Sequence, residues 1–394
     1  MYNSIIQSPL AKVIKREIQR ITGSWIYLFI TLLGPLLSFL LVMNIFVVGT
    51  PTKLPVTVVD QDHTPFSRKF VSMVDATQTV NILSNSNSLQ SAREEMLKGN
   101  IDAILLIPKG FEKEVQTGKS ESVELYINNT NVLTGSLIQS AIQKTAATLS
   151  TGVKLQVALK KGIPEEQAMG QVYPVRLDQH ILFNPYTNYS YFLATALLPV
   201  LLIVFTLLGS IYTLGMEIRE GTTQQWLQAA NENITVAVIG KFLPYLFLML
   251  VNTGVMNYIL THHLGFQLKG NWIVMMAGQT LMLVAYQAMA IFLLSLSGNT
   301  RLALSLGSAY SMMALTFSGL TFPVFAMPLL ARLFAYLFPF YYWMQIFMSQ
   351  GLRGAPIYQT IIPLLGLVLF IVAGFMLLPR LKKIVSNPVY QNKI

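Results

Sequence analysis

From Trp25 to Val48 the chain runs without one charged side chain, and that run limits the possible folds more than any other feature. About 20 residues are needed for a helix to cross the hydrocarbon of a bilayer, whereas the apolar core of a cleaved secretory signal is about 7–15 residues long. The run therefore reads as an uncleaved membrane anchor. Five more stretches of spanning length follow, at about Asn188–Leu214, Phe242–His262, Trp272–Leu296, Leu302–Phe322 and Tyr358–Leu378. Charged residues make up 11% of the chain, against about 25% in a soluble globular protein.

The net charge of +10 is unevenly placed. Residues 50–188 carry 13 Lys and Arg and 13 Asp and Glu, so that block is neutral. The remainder has 14 basic residues against four acidic ones, Glu17, Glu217, Glu220 and Glu232. A nucleic-acid footprint would place basic residues on a folded domain, so nucleic acid is not read as a partner. Excess charge beside spans sets orientation. Lys12, Lys15, Arg16, Arg20, Arg219, Lys241, Arg301, Arg380, Lys382, Lys383 and Lys393 collect on one side, and only Lys269, Arg332 and Arg353 occupy the other short loops. With six spans, both termini are then cytoplasmic and residues 49–187 lie outside. The chain contains no cysteine, which fits an exposed domain of a bacterial envelope; the predicted location is the bacterial inner membrane.

The expected fold is an α-helical polytopic membrane protein of six transmembrane helices with an inserted mixed α/β extracytoplasmic domain. Residues 1–24 hold a basic amphipathic helix. Leu10, Val13, Ile14, Ile18 and Ile21 recur at helical spacing, with Lys12, Lys15, Arg16, Gln19 and Arg20 opposite. That pattern suits a helix lying in the cytoplasmic membrane interface; packing on protein is the alternative. The first span occupies 25–48 and the outside domain 49–187. In that domain Leu54–Val59, Ala103–Ile107 and Val123–Ile127 read as strands. Pro65–Val74 and Ser88–Leu97 read as helices, and a long helix runs from about Val132 to Lys161 until Gly162 and Pro164 end it. Residues 188–394 hold the other spans, a cytoplasmic loop at 215–241 and an outer segment at 323–357.

No catalytic constellation is found. The histidines, His63, His180, His262 and His263, form no His-Glu-x-x-His or comparable ligand set. Asp60 and Asp62 follow a strand and could face a metal, but a strand-end turn explains them better. No metal site is assigned. The phosphate loop Gly-x-x-x-x-Gly-Lys-Ser/Thr is absent from the sequence.

The loop after the second span reads Gly215-Met216-Glu217-Ile218-Arg219-Glu220-Gly221-Thr222, continues through Trp226 and Leu227, and reaches Gly240-Lys241 before the third span. Here the chain resembles permease subunits of the type 2 ATP-binding-cassette exporters, in the subgroup with a large extracytoplasmic domain after the first span. Such permeases carry an acidic–basic–acidic–Gly–Thr turn, a short amphipathic helix and a Gly-Lys pair. The family usually has Thr-Pro after the short helix, where this chain has Ala229-Ala230-Asn231. Other points of likeness are Phe183-Asn184-Pro185, Ser318-Gly319-Leu320-Thr321-Phe322-Pro323, Met327-Pro328, Pro339-Phe340-Tyr341-Tyr342 and Leu352-Arg353-Gly354-Ala355.

The resemblance implies that the short helix docks on a cytoplasmic ATP-binding-cassette ATPase. Glu217, Arg219, Glu220, Gly221, Thr222, Trp226 and Leu227 are the docking candidates, with Trp226 and Leu227 as apolar anchors and Thr222 as a helix cap. This chain would carry no cofactor; ATP and Mg would be bound by the ATPase. A second permease, identical or paralogous, is implied, and a periplasmic adaptor is a further candidate partner. Pro323, Pro328, Pro339 and Tyr341 are candidates for an outer gate built from two short re-entrant helices. The implied function is outward movement of a hydrophobic or amphipathic substrate, with no enzymatic activity in the chain itself. A proton-coupled secondary transporter and a receptor or scaffold using the outside domain stay open as alternatives. The scarcity of ionisable residues inside the spans counts against the first, and the short inside segments against the second.

Overall fold

The computed structural model describes residues 8–47, 49–117, 121–174, 178, 180–184 and 188–387. Val48 at the end of the first predicted span, Pro185 of the Phe183-Asn184-Pro185 segment and Lys393 of the basic tail lie outside the described residues. Residues 50–180 form one compact unit, and the described residues before and after them form the other.

Helix α1 (Pro9–Gly23) begins where Ser8 Oγ accepts the Ala11 N–H at 3.2 Å and Pro9 sets the first helical φ. It buries the line Val13, Glu17 and Ile21 and leaves Leu10 and Ile18 exposed. Helix α2 (Trp25–Ile45) widens into a π-helical turn over Phe29–Leu33. Inside that turn the Thr31 carbonyl accepts from Asn252 Nδ2 at 2.8 Å, a polar tie between apolar helices.

The 50–180 unit is an α/β layer. Strand β1 (Leu54–Asp60) leads to α3 (Pro65–Asp75), β2 (Val80–Asn85), α4 (Leu89–Leu97), β3 (Ala103–Ile107), α5 (Phe111–Gln116) and β4 (Glu124–Ile127), then to α6 (Val132–Lys160) and α7 (Glu165–Val172). The sheet order is β2-β1-β3-β4, with β1 parallel to both neighbours and β4 antiparallel to β3. Val56, Val58, Leu105 and Ile107 pack with Phe70, Val74, Ile138 and Ile142 to make its core. Edge strand β2 is missing from the sequence reading because Asn81, Ser84 and Asn85 dilute its apolar signal, and Leu83 is exposed. The short helices α5 and α7 also escaped it. Helix α6 has 29 residues, about 43 Å of helix, and stops at Gly162, whose φ is +78°.

Asp60 and Asp62 build the turn after β1. Asp60 accepts from the amides of Asp62 and His63 and from Ser67 Oγ, and Asp62 accepts from Thr64 Oγ1 at 2.6 Å and from the amides of Gly110 and Glu112 at 2.8 and 3.0 Å. Burial raises the Asp62 carboxyl, but the bonds from Thr64 and the amides of Glu112, Gly110 and Phe111 outweigh it and hold the group below its ordinary range.

The other unit continues with α8 (Tyr189–Arg219), α9 (Thr223–Ala229), α10 (Ile234–Tyr258), α11 (Trp272–Ser297), α12 (Thr300–Thr316), α13 (Leu329–Ala335), α14 (Pro339–Ile346), α15 (Ile361–Phe375) and α16 (Leu378–Ser386). Among the described residues, five helical stretches are long and apolar enough to cross a membrane: Trp25–Ile45, Tyr189–Arg219, Ile234–His263, Trp272–Ser297 and Ile357–Ser386. The predicted span Leu302–Phe322 differs. Its helix, α12, has 17 residues, and the chain turns at Ser318-Gly319, with Gly319 at φ +85°. That is about 25 Å of helix against about 30 Å of hydrocarbon. Its Gly307 faces Ile211, Leu208 and Leu207 of α8. A reciprocal amide pair, Asn257 with Gln279 at 3.0 and 2.8 Å, joins α10 to α11.

Candidate functional site

Helix α8 ends in a motif that its sequence dictates. Gly221 takes φ +67°, the Thr222 amide donates to Glu217 O and the Gly221 amide to Ile218 O at 3.1 and 3.3 Å. This is a Schellman turn, in which a left-handed residue lets the last carbonyls of a helix find donors. Glycine has no Cβ to oppose that φ. The turn reverses the chain into α9, which lies against α10 and α1.

Beneath the turn lies a buried cluster of charge. Glu217 is fully buried, and Arg16 grips it through both guanidinium nitrogens at 2.6 and 2.8 Å. Lys241 Nζ donates to Glu217 and to Glu17, each at 2.8 Å, and is itself fully buried. Arg16 also reaches Glu17 at 3.0 Å, and Tyr245 OH donates to Glu17 at 3.1 Å. Arg20 bonds both Glu217 and Glu220. Three cations thus meet three carboxylates, and the charge balances. Burying ions is costly unless each is paired and hydrogen-bonded, a condition met here at every oxygen of Glu17 and Glu217.

The Gly-Lys pair at the start of α10 has two distinct jobs. A Cβ on Gly240 would fall 2.8 Å from Val13 Cβ, so glycine is what lets α1 approach α10. Lys241, one residue on, then reaches the carboxylates. Helices α1, α8 and α10 are fastened at one point by residues far apart in sequence.

The predicted docking residues divide sharply by position. Arg219, Glu220 and Gly221 are exposed. Trp226 and Leu227, predicted as apolar anchors for a partner, are 0% and 3% exposed. Trp226 donates from Nε1 to Ala237 O at 3.1 Å, and the Lys241 ammonium lies 5.3 Å from its ring centroid. The apolar face of α9 is thus spent on its own unit. Its outer face carries Gln224, Gln225 and Gln228, all exposed. Thr222 occupies the N-cap position of α9 but makes no capping bond; its hydroxyl donates to Glu217 Oε2 at 2.6 Å instead. Glu217 and Glu220 pair with α1 and not with Arg219, since helix positions one or two apart do not face each other. Where the family usually has Thr-Pro, Asn231 and Glu232 adopt φ +53° and +60°, and Lys382 Nζ of α16 donates to Glu232 O at 2.6 Å.

The order of these parts along the chain matches a known group. The family model for the ABC-2 family transporter protein covers residues 25–378. The chain belongs to that family. No curated protein matches it. As an ABC-2 family transporter it is a membrane protein of the permease kind, and membership implies association with an ATP-binding-cassette ATPase. Residues 9–23, which supply Arg16, Glu17 and Arg20, precede the matched region.

The other predicted site of this ABC-2 protein surrounds the short helices. Pro323 precedes a single 3₁₀ turn, Pro328 precedes α13, and Pro339 is the first residue of α14. These prolines start helices, where a missing N–H costs nothing. Tyr341 lies at a ring distance of 5.2 Å from Tyr336 and lines a cavity of about 510 Å³.

Three residues of the ion cluster are not candidates in the sequence reading: it places Arg16 and Arg20 on the polar face of an amphipathic helix, opposite its apolar stripe, and Glu17 enters it only as one of four acidic residues outside the 50–188 block. A lone carboxylate in a strongly basic flank was the available signal.

Proposed function

We propose that this chain is the membrane subunit of an exporter driven by a separate cytoplasmic ATPase, with α9 and the turn before it as the docking element. The observation that carries the reading is the ion cluster of Glu17, Glu217, Arg16, Arg20 and Lys241 directly behind that element. A force applied to the exposed face of α9 would pass through these paired charges into α1, α8 and α10 together. Contact with the ATPase falls to Arg219, Glu220, Gly221, Gln224, Gln225 and Gln228. Trp226, Leu227, Glu217 and Thr222 hold the element in place from behind.

In this reading α12 also crosses, as the fifth of six spans, since about 17 residues is the lower end of what crosses a bilayer. Both termini are cytoplasmic, the 50–180 unit is extracytoplasmic, and the location is a bacterial inner membrane. The exposed Leu10 and Ile18 beside Lys12 and Lys15 set α1 at the membrane surface while its opposite line is seated on protein. A second permease, the same chain or a paralogue, completes the pathway; an adaptor on the 50–180 unit is a further partner. ATP and Mg are bound by the ATPase. The cargo is hydrophobic or amphipathic and moves outward, with Pro323, Pro328, Pro339 and Tyr341 around the outer gate.

The test is photo-crosslinking in cells from a reactive residue placed at Gln224, Gln225 or Gln228. An adduct with a phosphate-loop ATPase is the expected result from at least one of these positions. Adducts confined to other proteins, or none at any of the three, overturn the docking assignment.

A further inference from the structure

We infer that the cavity beneath α13 and α14 is a binding site for an amphipathic anion, a molecule with a phosphate or carboxylate head and an apolar tail. Pro323 and Tyr341, proposed for the outer gate, also line it, so the inference deepens the transport reading at that site, while its test reads lipid binding and not transport. The cavity, about 510 Å³, has the size of a head group and not of a whole lipid. It lies away from the ion cluster: α12 starts with Thr300 beside Gly215, near the cluster's end of α8, and runs from there to the short helices.

Two guanidinium groups line this cavity, Arg332 from α13 and Arg353 after α14. Arg332 Nη2 donates to Phe325 O at 2.7 Å and Met327 O at 3.3 Å, while its buried Nε–H has no partner among the described residues. Arg353 uses only Nε, donating to Met348 O at 3.2 Å. Neither forms an ion pair among the described residues. No Asp or Glu follows Glu232 in the sequence, so the segment that carries both arginines supplies no counter-ion of its own. Glu17, Glu217 and Glu220 are engaged at the cluster. Capping of the Phe325 and Met327 carbonyls accounts for one nitrogen of Arg332. It leaves the other nitrogens of both forks without a protein acceptor among the described residues.

Paired guanidinium forks match phosphate and carboxylate oxygens in geometry and charge. An anionic ligand would supply an acceptor to the buried Nε–H of Arg332, which has no partner among the described residues. Tyr336, Tyr341 and Gln345 bring further hydrogen-bonding groups to the same walls. The tail is implied by the surroundings: Met348 lines the cavity, and the adjacent Phe325 and Leu330 are 80% and 81% exposed. Free phosphate would satisfy the forks but not that apolar rim.

The test uses the full chain, purified and reconstituted in phosphatidylcholine nanodiscs containing a small fraction of phosphatidylglycerol, with retained lipid counted by native mass spectrometry. Parallel titrations use inorganic phosphate and glycerol phosphate. Phosphatidylglycerol should be enriched in the parent. Arg332→Gln with Arg353→Gln should reduce that enrichment by at least about tenfold. Arg353 is exposed, so Arg353→Gln alone keeps the test valid if the double variant fails to fold. Met348→Trp, which fills the cavity and keeps both charges, should also reduce it. Lys269→Gln, outside the cavity, should leave it unchanged. Equal enrichment in parent, Arg353→Gln and Met348→Trp overturns the site. Inorganic phosphate binding as tightly as the lipid overturns its amphipathic class.

Discussion

The two units of this ABC-2 protein treat charge in opposite ways. Residues 50–188 hold 13 basic and 13 acidic side chains, and the ion pair Lys98–Glu95 there, at 2.9 Å, has side chains 62% and 43% exposed. The membrane unit has four carboxylates outside that block, and buries two of them completely, Glu17 and Glu217. Abundant surface charge contributes little to stability, because water and salt screen it. Scarce buried charge is different. Removing one partner strands another ion in a medium that cannot solvate it. The number of charges in a region therefore says little about their weight, and here the unit with fewer charges depends on them more.

The largest effect expected from this contrast is at Lys241. Lys241→Met would leave Glu17 and Glu217 short of a cation that both share, at a cost of about 3–5 kcal/mol, read from the unfolding of the purified protein. Adding Glu217→Gln should return part of the loss, since it removes charge from the same buried site. A Lys241→Met protein as stable as the parent would erase the distinction between the units. At the small end, Lys98→Ala should leave the melting temperature unchanged within error. A clear shift there would show that solvated pairs in the 50–180 unit matter after all.

Much of the architecture was legible in the sequence because it rests on local signals. The charge-free runs mark the long helices, Ser88 sits at a helix start, and Gly162 marks a helix end where φ is positive. The acidic–basic–acidic–Gly–Thr turn was legible through the family resemblance. Its side-chain partners were not. Glu217 pairs with Arg16 across 201 positions, and no periodicity links them. The burial of Trp226 against its own unit was not legible for a different reason, since its partner Ala237 is only 11 positions away. An amphipathic helix announces that one face will be buried, but not against what, and here the answer is α10. The end predicted for the span of α12, Phe322, lies six residues past the helix end at Thr316, because the apolar pattern continues through the turn at Ser318-Gly319.

Buried charge should join α1 and the end of α8 energetically. A double-mutant cycle between Arg16→Gln and Glu217→Gln, measured by equilibrium unfolding of the full chain in micelles, tests it most directly. The cycle cancels what each substitution does alone and leaves the pair's own coupling. Direct bidentate pairing at 2.6 and 2.8 Å predicts a coupling of about 1–3 kcal/mol. Strictly additive effects, within about 0.5 kcal/mol of zero coupling, would contradict it.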